Sequence, residues 1–284
     1  MSSRDILGDN DGDEGERVTP TWSSDGIQLY AGDCLSVLPS FGTDSVDLVL
    51  TDPPYGHGNN DGDLIHKREK VLGAPVKSLK REEAARPILN DGAEANELLR
   101  KVLPEIRRVL MPGCCCCCCC CGGGGPDPQF ARWSMWLNEV LDFKQMVVWD
   151  KGPMGMGWHY RRSYETILVA TKPGAACRWF DKTRGIENII RPGQYGIAKI
   201  IPGKTQHPTA KPVHLAKHFV RLHSEPGHLV LDPFMGAGWV AAACVRMGRR
   251  FIGVELDPHW FDYAVKVVER EQRKVKEEGR AKAN

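Results

Sequence analysis

Short apolar runs of four to eight residues alternate along the chain with longer segments in which apolar positions recur every three or four residues. The short runs are typical of buried strands, and the longer segments are typical of amphipathic helices. Because strands that alternate with helices usually pair in parallel, the pattern predicts an α/β fold with a mainly parallel sheet. Seven strands are predicted, near residues 27, 46, 114, 145, 165, 229 and 250.

Helices are predicted between these strands. Segment 95–110 places its leucine, valine and isoleucine residues on one helical face, and Pro112 and Gly113 follow as a stop signal. Further helical patterns cover residues 132–141, 213–224, 238–248 and 260–271.

Residues 114–121 are eight consecutive cysteines, and four glycines follow them. Reduced cysteine behaves as a small, often buried hydrophobe, and strands buried on both faces carry continuous apolar runs. A metal or redox role would need several thiolates that converge on one ion, which a straight strand does not supply by itself. The run is therefore predicted to be a buried, reduced and metal-free strand, with a metal or redox role as the alternative.

The composition limits the classes of protein to consider. The 284 residues are 42% hydrophobic and 26% charged, which is ordinary for a globular protein with a sizeable core. No apolar run approaches a membrane span and no secretory signal is evident, so a cytoplasmic, reducing location is predicted. The formal charge is only +2, so a nucleic-acid surface would have to be local. The predicted organisation is a disordered acidic tail over 1–20, one domain over 21–270 and a solvated helical tail over 271–284.

The loop TDPPYG, residues 51–56, follows one predicted strand. Pro53 and Pro54 fix their φ angles and lack N–H groups, so the loop is stiff and its carbonyls are free to accept. Asp52, the Pro53 carbonyl and the ring of Tyr55 together suit a flat ring that carries an exocyclic amino group. The alternative is a rigid turn whose tyrosine packs on the core.

A second loop, DPFMGAG at 232–238, lies between a predicted strand and a predicted helix. Gly236 and Gly238 would let a ligand approach the backbone at the start of that helix. Glu255 ends the next predicted strand about 20 residues later, where a carboxylate can accept hydrogen bonds from ribose hydroxyls. The third glycine of the dinucleotide fingerprint is absent, so the loop predicts a nucleoside-containing cofactor of another kind.

These motifs together resemble a known family. DPPY, HPTAKP at 207–212 and DPFMGAG occur in the order found in S-adenosylmethionine-dependent DNA amino-methyltransferases, which modify N6 of adenine or N4 of cytosine. Because DPPY precedes DPFxGxG, the order resembles the circularly permuted β class. The resemblance covers about residues 25–265, and Ala210 departs from it because the family often has glutamine there.

The resemblance implies a seven-stranded, mainly parallel methyltransferase (Rossmann-like) sheet with helices on both faces. One strand would be antiparallel, at 165–171, and the cysteine run would lie beside the strand that leads to DPPY. The implied catalytic residues are Asp52, Pro53, Pro54 and Tyr55. Asp52 and the Pro53 carbonyl would accept the N–H groups of the target amine, and Tyr55 would stack on a base extruded from the duplex.

The implied cofactor is S-adenosyl-L-methionine, and no metal is predicted. Asp33 would contact the adenine, Glu255 the ribose, and Thr209 with Lys211 the methionine carboxylate. The complete set of predicted cofactor-binding residues is Asp33, Cys34, Thr209, Lys211, Asp232, Pro233, Phe234, Gly236, Gly238 and Glu255.

Double-stranded DNA is the implied substrate, and basic insertions near 57–93 and 173–206 are its predicted contacts. Arginines in the second insertion would read base edges, and the lysine-rich first insertion would hold phosphates. The predicted DNA-binding residues are Lys67, Arg68, Lys70, Arg184 and Arg191. The histidines are predicted to lie at the surface or against DNA.

Several alternatives stay open at this point. DPPY favours adenine N6 over cytosine N4 as the target. A methyltransferase for RNA or a small amine, and a non-enzymatic DNA-binding protein, are the rival functions. A homodimer, a partner restriction endonuclease, and a bacterial nucleoid or phage origin are further options that the sequence does not decide.

Overall fold

The computed structural model describes residues 18–56, 88–120, 129–152, 163–196 and 211–283. The described part contains nine strands in one sheet. They are β1 (Trp22–Ser24), β2 (Ile27–Ala31), β3 (Val46–Thr51), β4 (Leu110–Cys120), β5 (Asp142–Asp150), β6 (Tyr164–Thr171), β7 (Ile189–Ile190), β8 (Leu229–Asp232) and β9 (Arg250–Glu255). Their spatial order is β1-β2-β9-β8-β3-β4-β6-β5-β7.

Six α-helices in the described part cover the two faces of this sheet. They are α1 (Cys34–Val37), α2 (Glu94–Val109), α3 (Gln129–Val140), α4 (Val213–His223), α5 (Trp239–Met247) and α6 (Pro258–Ala283). One apolar core joins the sheet to α1, α2 and α3, and a second joins it to α4, α5 and α6. The α/β, Rossmann-like architecture predicted from the sequence is therefore confirmed.

All seven predicted strands are present, but the sheet is wider than predicted. The two additional strands, β1 and β7, lie at its edges, with three and two residues respectively. Segments this short carry too few positions for an alternating pattern to be recognised. Strand β6 pairs antiparallel with both β4 and β5, as predicted for residues 165–171. The division into one domain with two tails stays a prediction.

The cysteine run forms most of β4, which pairs in parallel with β3 as predicted. Cys114, Cys116 and Cys118 face the core of α1–α3, whereas the intervening Cys115, Cys117 and Cys119 face the core of α4–α6. All six are buried, and none is in a disulfide. The prediction of a buried strand is confirmed, and the absence of metal stays a prediction.

The beginning of β4 differs from the prediction. Helix α2 ends at Val109 and β4 begins at Leu110, so Pro112 and Gly113 lie within the strand instead of separating it from the helix. Val46 pairs with Leu110 but Leu48 pairs with Cys115, so β4 contains a bulge between Leu110 and Cys115. Gly113 has a φ of 78°, which favours glycine at this bulge.

Two histidines were predicted at the surface but lie inside. His218 and His223 on α4 are buried, and burial lowers the pKa of each to about 4. Both side chains lie on the apolar face of this amphipathic helix. Phe219 packs against His218, and the ring of Trp179 packs against His223. None of the described helices is both long enough and apolar enough to cross a membrane.

Candidate active site

One pocket lies at the carboxyl ends of four neighbouring parallel strands. Strand β2 leads into Gly32–Cys34, β3 into Asp52–Tyr55, β8 into Pro233–Ala237, and β9 into Glu255–Asp257, and all four segments line the pocket. In open α/β sheets, ligands bind at this edge, where the chain leaves the sheet in opposite directions. The topology therefore brings the two loops predicted from the sequence to a single site.

The DPPY loop is held from both sides by side chains that follow it in the sequence. The carboxylate of Asp91 accepts the backbone N–H groups of Tyr55 and Gly56, at 2.8 and 2.9 Å. The amide of Gln129 donates to the carbonyl of Tyr55 at 3.0 Å. Trp133 packs at 6.2 Å from the Tyr55 ring, at an angle of 47°. The loop is thus fixed before any substrate arrives.

A cluster of charged side chains surrounds Asp52. The ammonium of Lys211 donates to Oδ2 of Asp52 at 2.6 Å and to the hydroxyl of Tyr55 at 3.1 Å. That hydroxyl in turn donates to Oδ1 of Asp52. Lys211 also lies 3.3 Å from Glu165, and Lys151 lies 2.5 Å from the other oxygen of Glu165.

The two buried carboxylates of this cluster have opposite pKa shifts. Burial raises the pKa of Asp52, although the ammonium of Lys211 opposes this rise. The pKa of Glu165 is lowered to about 2, because the attraction of two lysines outweighs its burial. Glu165 is therefore an anion throughout the ordinary pH range, whereas Asp52 accepts a proton more readily than an exposed aspartate does.

On the other side of the pocket, Asp232 ends β8. Its Oδ1 accepts the hydroxyl of Thr51 at 2.7 Å and the backbone N–H of Phe234 at 3.1 Å. Within the described residues, no group forms a hydrogen bond with its Oδ2. The side chain is fully buried, and burial raises its pKa to about 8. Asp232 does not line the pocket and instead supports the cofactor loop from behind.

Glu255 connects the cofactor loop to the end of β9. Its Oε2 accepts the N–H of Gly236 at 2.7 Å, and its Oε1 accepts the N–H of Asp257 at 2.8 Å. Burial raises its pKa to about 7. Gly236 has a φ of 52°, so the loop needs glycine for its backbone as well as for access to the ligand. Gly238, with a φ of 79°, lies behind the pocket and packs against Ala264 of α6.

The remaining wall of the pocket comes from β2 and its surroundings. Asp33 caps α1 by accepting the N–H of Leu35 at 3.0 Å. Cys34 is buried, and burial raises the pKa of its thiol to about 12. Apolar side chains complete the lining: Leu98, Phe234, Met235, Val254 and Trp260. Carboxylate acceptors beside an apolar wall fit a nucleoside, whose amine and hydroxyls are donors and whose ring is apolar on both faces.

The predicted site residues are therefore placed as follows. The pocket lining includes the DPPY residues and, from the predicted cofactor set, Asp33, Cys34, Lys211, Pro233, Phe234, Gly236 and Glu255. Arg184 and Arg191 lie on the exposed segment after β6, where Arg191 forms an ion pair with Glu187. Thr209, Lys67, Arg68 and Lys70 lie outside the described residues.

Four residues of the site were not predicted from the sequence. Asp91 lies in an Asn-Asp-Gly turn within the segment interpreted as an insertion, and Gln129 follows the glycine-rich stretch without any recognisable motif. Glu165 is a charged residue near the start of a buried apolar strand, which was a usable signal. Lys151, just after β5, belongs to the site only through its ion pair with Glu165, which the sequence does not predict.

A comparison with protein families matches residues 46–266 to the family of N6/N4 DNA methylases. The chain belongs to this family. It is similar to the DNA adenine methyltransferase YhdJ of Escherichia coli K12, with 26% identity over 260 residues that cover 82% of this chain and 79% of YhdJ. It is also similar to the putative methylase YubD of the same organism, with 26% identity over 231 residues that cover 81% of this chain and 84% of YubD.

Solved structures of DNA methyltransferases share this fold. TTHA0409, a putative DNA modification methylase of Thermus thermophilus, has 26% identity and a TM-score of 0.60, and the match covers 86% of this chain and 94% of that one. A second structure of TTHA0409 contains S-adenosyl-L-methionine. The cytosine-N4-specific PvuII methyltransferase, with 18% identity, has a TM-score of 0.61, and the match covers 90% of this chain and 95% of that one. The protein is a DNA methyltransferase that uses S-adenosyl-L-methionine.

Proposed function

We propose that the protein transfers a methyl group to N6 of adenine in double-stranded DNA, after the base has left the duplex. The observation that carries this proposal is the juxtaposition of Asp52 and Tyr55 with the cofactor loop in one pocket. The Asp-Pro-Pro-Tyr sequence favours adenine over cytosine, and YhdJ, which has a similar sequence, is named an adenine methyltransferase. A base inside a duplex could not reach a carboxylate as buried as Asp52.

The residues proposed to hold the cofactor surround the pocket on the side of β2, β8 and β9. Asp33 would accept from its adenine amine, and Glu255 from its ribose. Phe234 and Gly236 would lie along its methionine moiety. When bound, S-adenosyl-L-methionine supplies an electrophilic methyl group attached to a sulfonium.

The catalytic loop acts on the amine of the base. The lone pair of that nitrogen is delocalised into the ring, which makes the amine a weak nucleophile. Asp52 and the carbonyl of Pro53 would accept its two N–H bonds and so favour a tetrahedral nitrogen with a localised lone pair. The new N–C bond would form as the bond between the methyl group and sulfur breaks, which leaves a neutral thioether. One N–H bond of the amine would also break, and Asp52 would take that proton directly or through water. Tyr55 would stack on the ring.

Cytosine N4 is the second candidate target, because both amines have the same chemistry and the family contains enzymes for each. Incubation of the enzyme with unmethylated duplex DNA and isotopically labelled S-adenosylmethionine would decide between them. After digestion to nucleosides, mass spectrometry is expected to find labelled N6-methyldeoxyadenosine. Labelled N4-methyldeoxycytidine would move the target to cytosine. In a parallel incubation with RNA in place of DNA, label in the RNA together with none in the DNA would contradict a DNA substrate.

The proposed DNA contacts are Arg184 and Arg191 for base edges, and Lys67, Arg68 and Lys70 for phosphates. We also propose that the protein forms a homodimer and acts with a partner restriction endonuclease, and each proposal has its own test. Sedimentation of the free and DNA-bound enzyme measures the first. Sequencing of methylated DNA identifies the recognition site, and cleavage of unmethylated DNA at that site in the source cells would reveal the second.

A further inference from the structure

A row of four charged side chains runs outward from the catalytic loop. Lys211 lies 2.6 Å from Asp52 and 3.3 Å from Glu165, and Lys151 lies 2.5 Å from the far oxygen of Glu165. The charges alternate in sign and sum to zero. Buried charges persist in folded proteins when each is paired in this way.

The inner members of this row are deeply buried. The side chain of Lys211 is 3% exposed and that of Glu165 is 9% exposed, whereas Lys151 is 31% exposed. A buried ion pair is weak evidence for a contribution to stability, since desolvation offsets much of the attraction. A contribution to stability therefore does not explain this row of charges. The contact of Lys211 with Asp52 indicates a role at the catalytic loop.

Building on the proposed function, in which Asp52 accepts a proton of the target amine, we propose that Lys211 and Glu165 are positioning residues for Asp52. Lys211 holds Oδ2 of Asp52 and the hydroxyl of Tyr55 at once, so it fixes the two side chains of the catalytic loop relative to each other. Glu165, on the antiparallel strand β6, holds Lys211 from the far side. Lys151 occupies the other oxygen of Glu165, which limits the competition of Glu165 for Lys211.

The same row also sets the protonation of Asp52. Burial raises the pKa of Asp52, Lys211 lowers it, and Glu165 raises it again. Tyr55 donates to Asp52 from the same loop, and among the residues that the structure describes, the carboxyl group of Asp232 at the end of β8 also interacts with it. Loss of the positive charge at Lys211 and loss of the negative charge at Glu165 should therefore shift the titration of Asp52 in opposite directions.

The decisive measurement is the titration of Asp52 itself in Lys211→Met and Glu165→Gln. Selective labelling of aspartate side-chain carboxyl carbons with ¹³C allows the titration to be followed by NMR, and Asp52→Asn assigns the resonance. The midpoint is expected to move to higher pH in Lys211→Met and to lower pH in Glu165→Gln. Midpoints that stay unchanged, or that move in the same direction, would overturn the proposal.

Two further variants show whether a shift in the midpoint of Asp52 is specific or results from a folding defect. Lys151→Met changes a partly exposed position, and it should raise the midpoint by a smaller amount because Glu165 then competes more strongly for Lys211. Lys172→Met removes a lysine that pairs with Asp44 at 2.6 Å, away from the pocket, and it should leave the midpoint of Asp52 unchanged. A shift in Lys172→Met as large as that in Lys151→Met would contradict a specific effect.

Activity supplies a second readout. The single-turnover rate of DNA methylation at neutral pH is expected to fall roughly 10- to 100-fold in Lys211→Met, with little change in the affinity for S-adenosylmethionine. If Lys211→Met loses that affinity and leaves the midpoint of Asp52 unmoved, Lys211 serves the methionine carboxylate and the positioning role is wrong. If the midpoints move as expected but the wild-type enzyme methylates no DNA, the positioning role stands and the proposed function fails.

Discussion

The hydroxyl of Thr51 donates a hydrogen bond of 2.7 Å to the carboxyl group of Asp232. Thr51 is the last residue of β3 and Asp232 is the last residue of β8, so the bond joins the two strands at the points where the catalytic and cofactor loops begin. Both side chains are fully buried. The position of one loop is therefore fixed relative to the other by a side-chain bond in addition to the backbone ladder.

Thr51→Val should weaken this connection while it preserves the shape of the side chain. The carboxyl group of Asp232 then loses a buried donor, so the free energy of unfolding should fall by about 1–3 kcal/mol. The affinity for S-adenosylmethionine should fall as well, which calorimetric titration measures. Thr43→Val, at an exposed position, is the control and should change neither quantity. Equal effects of the two substitutions would contradict a specific role for the bond.

The stability of the protein should depend on pH through Asp232. Its pKa is raised to about 8, above the ordinary value near 4, so the native state holds a proton that the unfolded chain has released in this interval. The resulting stabilisation is complete below about pH 4 and is lost as the pH rises through about 8. Chemical unfolding without cofactor should show wild-type stability falling between about pH 4 and pH 8, and a smaller fall in Asp232→Asn.

Glu255 contributes in the same direction, since its pKa is raised to about 7. Glu255→Gln should therefore reduce the fall only below about pH 7, whereas Asp232→Asn should reduce it over the whole range from about pH 4 to pH 8. If both variants show the full wild-type fall, other groups are responsible for it.

Asp52→Ala should abolish methyl transfer and leave the binding of S-adenosylmethionine largely intact, because Asp52 is proposed to act on the base. A loss of at least roughly 100-fold in the rate is expected for a group that accepts the proton. Asp44→Ala, at an exposed position outside the pocket, is the control and should keep the wild-type rate. An Asp52→Ala enzyme with more than a few per cent of wild-type activity would refute this role.

Gly236→Ala should weaken the binding of S-adenosylmethionine by placing a methyl group at the pocket wall. Because Gly236 has a φ of 52°, the substitution also strains the backbone by about 1 kcal/mol. Gly248→Ala isolates that strain, since Gly248 has a φ of 69° and a Cβ added there, at the far end of α5, would have no neighbour within 4 Å. Both variants should lose stability, but affinity in a titration should fall only for Gly236→Ala.

DNA recognition is predicted to divide between two segments. Substitution of Arg184 or Arg191 should cost about 1–3 kcal/mol on the cognate site and relax the choice of sequence. Substitution of Lys67, Arg68 and Lys70 should weaken binding to all sequences and reduce the salt dependence by about one unit per lost phosphate contact. Binding titrations on cognate and altered duplexes at several salt concentrations measure both effects, and a uniform loss in both sets would place recognition elsewhere.

The sequence predicts the central part of the fold well because its strands are continuous apolar runs that end in recognisable loops. The edge strands β1 and β7 escape prediction because two or three residues carry no period. His218 and His223 were assigned to the surface by residue type, whereas the amphipathic pattern of α4 places them on its buried face.

The candidate site is predictable only in part, for a physical reason. Asp52 and Gly236 belong to motifs whose local conformation serves a ligand, so the local sequence carries the signal. Lys211 and Asp52 are 159 positions apart in the sequence, and no local pattern predicts a contact between such distant residues. The clamp of Asp91 and Gln129 on Tyr55 depends in the same way on how distant segments meet.

The cysteine run of β4 leaves the alignment of this part of the strand undetermined by the side chains of the run itself. In most strands, a slip of one residue exchanges the buried and exposed faces and is strongly disfavoured. In a run of identical cysteines, the same slip replaces each thiol by another thiol on both faces. Packing against the two cores is then the same in both alignments. The alignment must come from outside the run. Gly113 provides it, because its N–H donates to Lys172, its carbonyl accepts from Arg178, and any Cβ there would collide with the carbonyl of Ala176. A residue without a side chain thus sets the position of all the thiols that follow it.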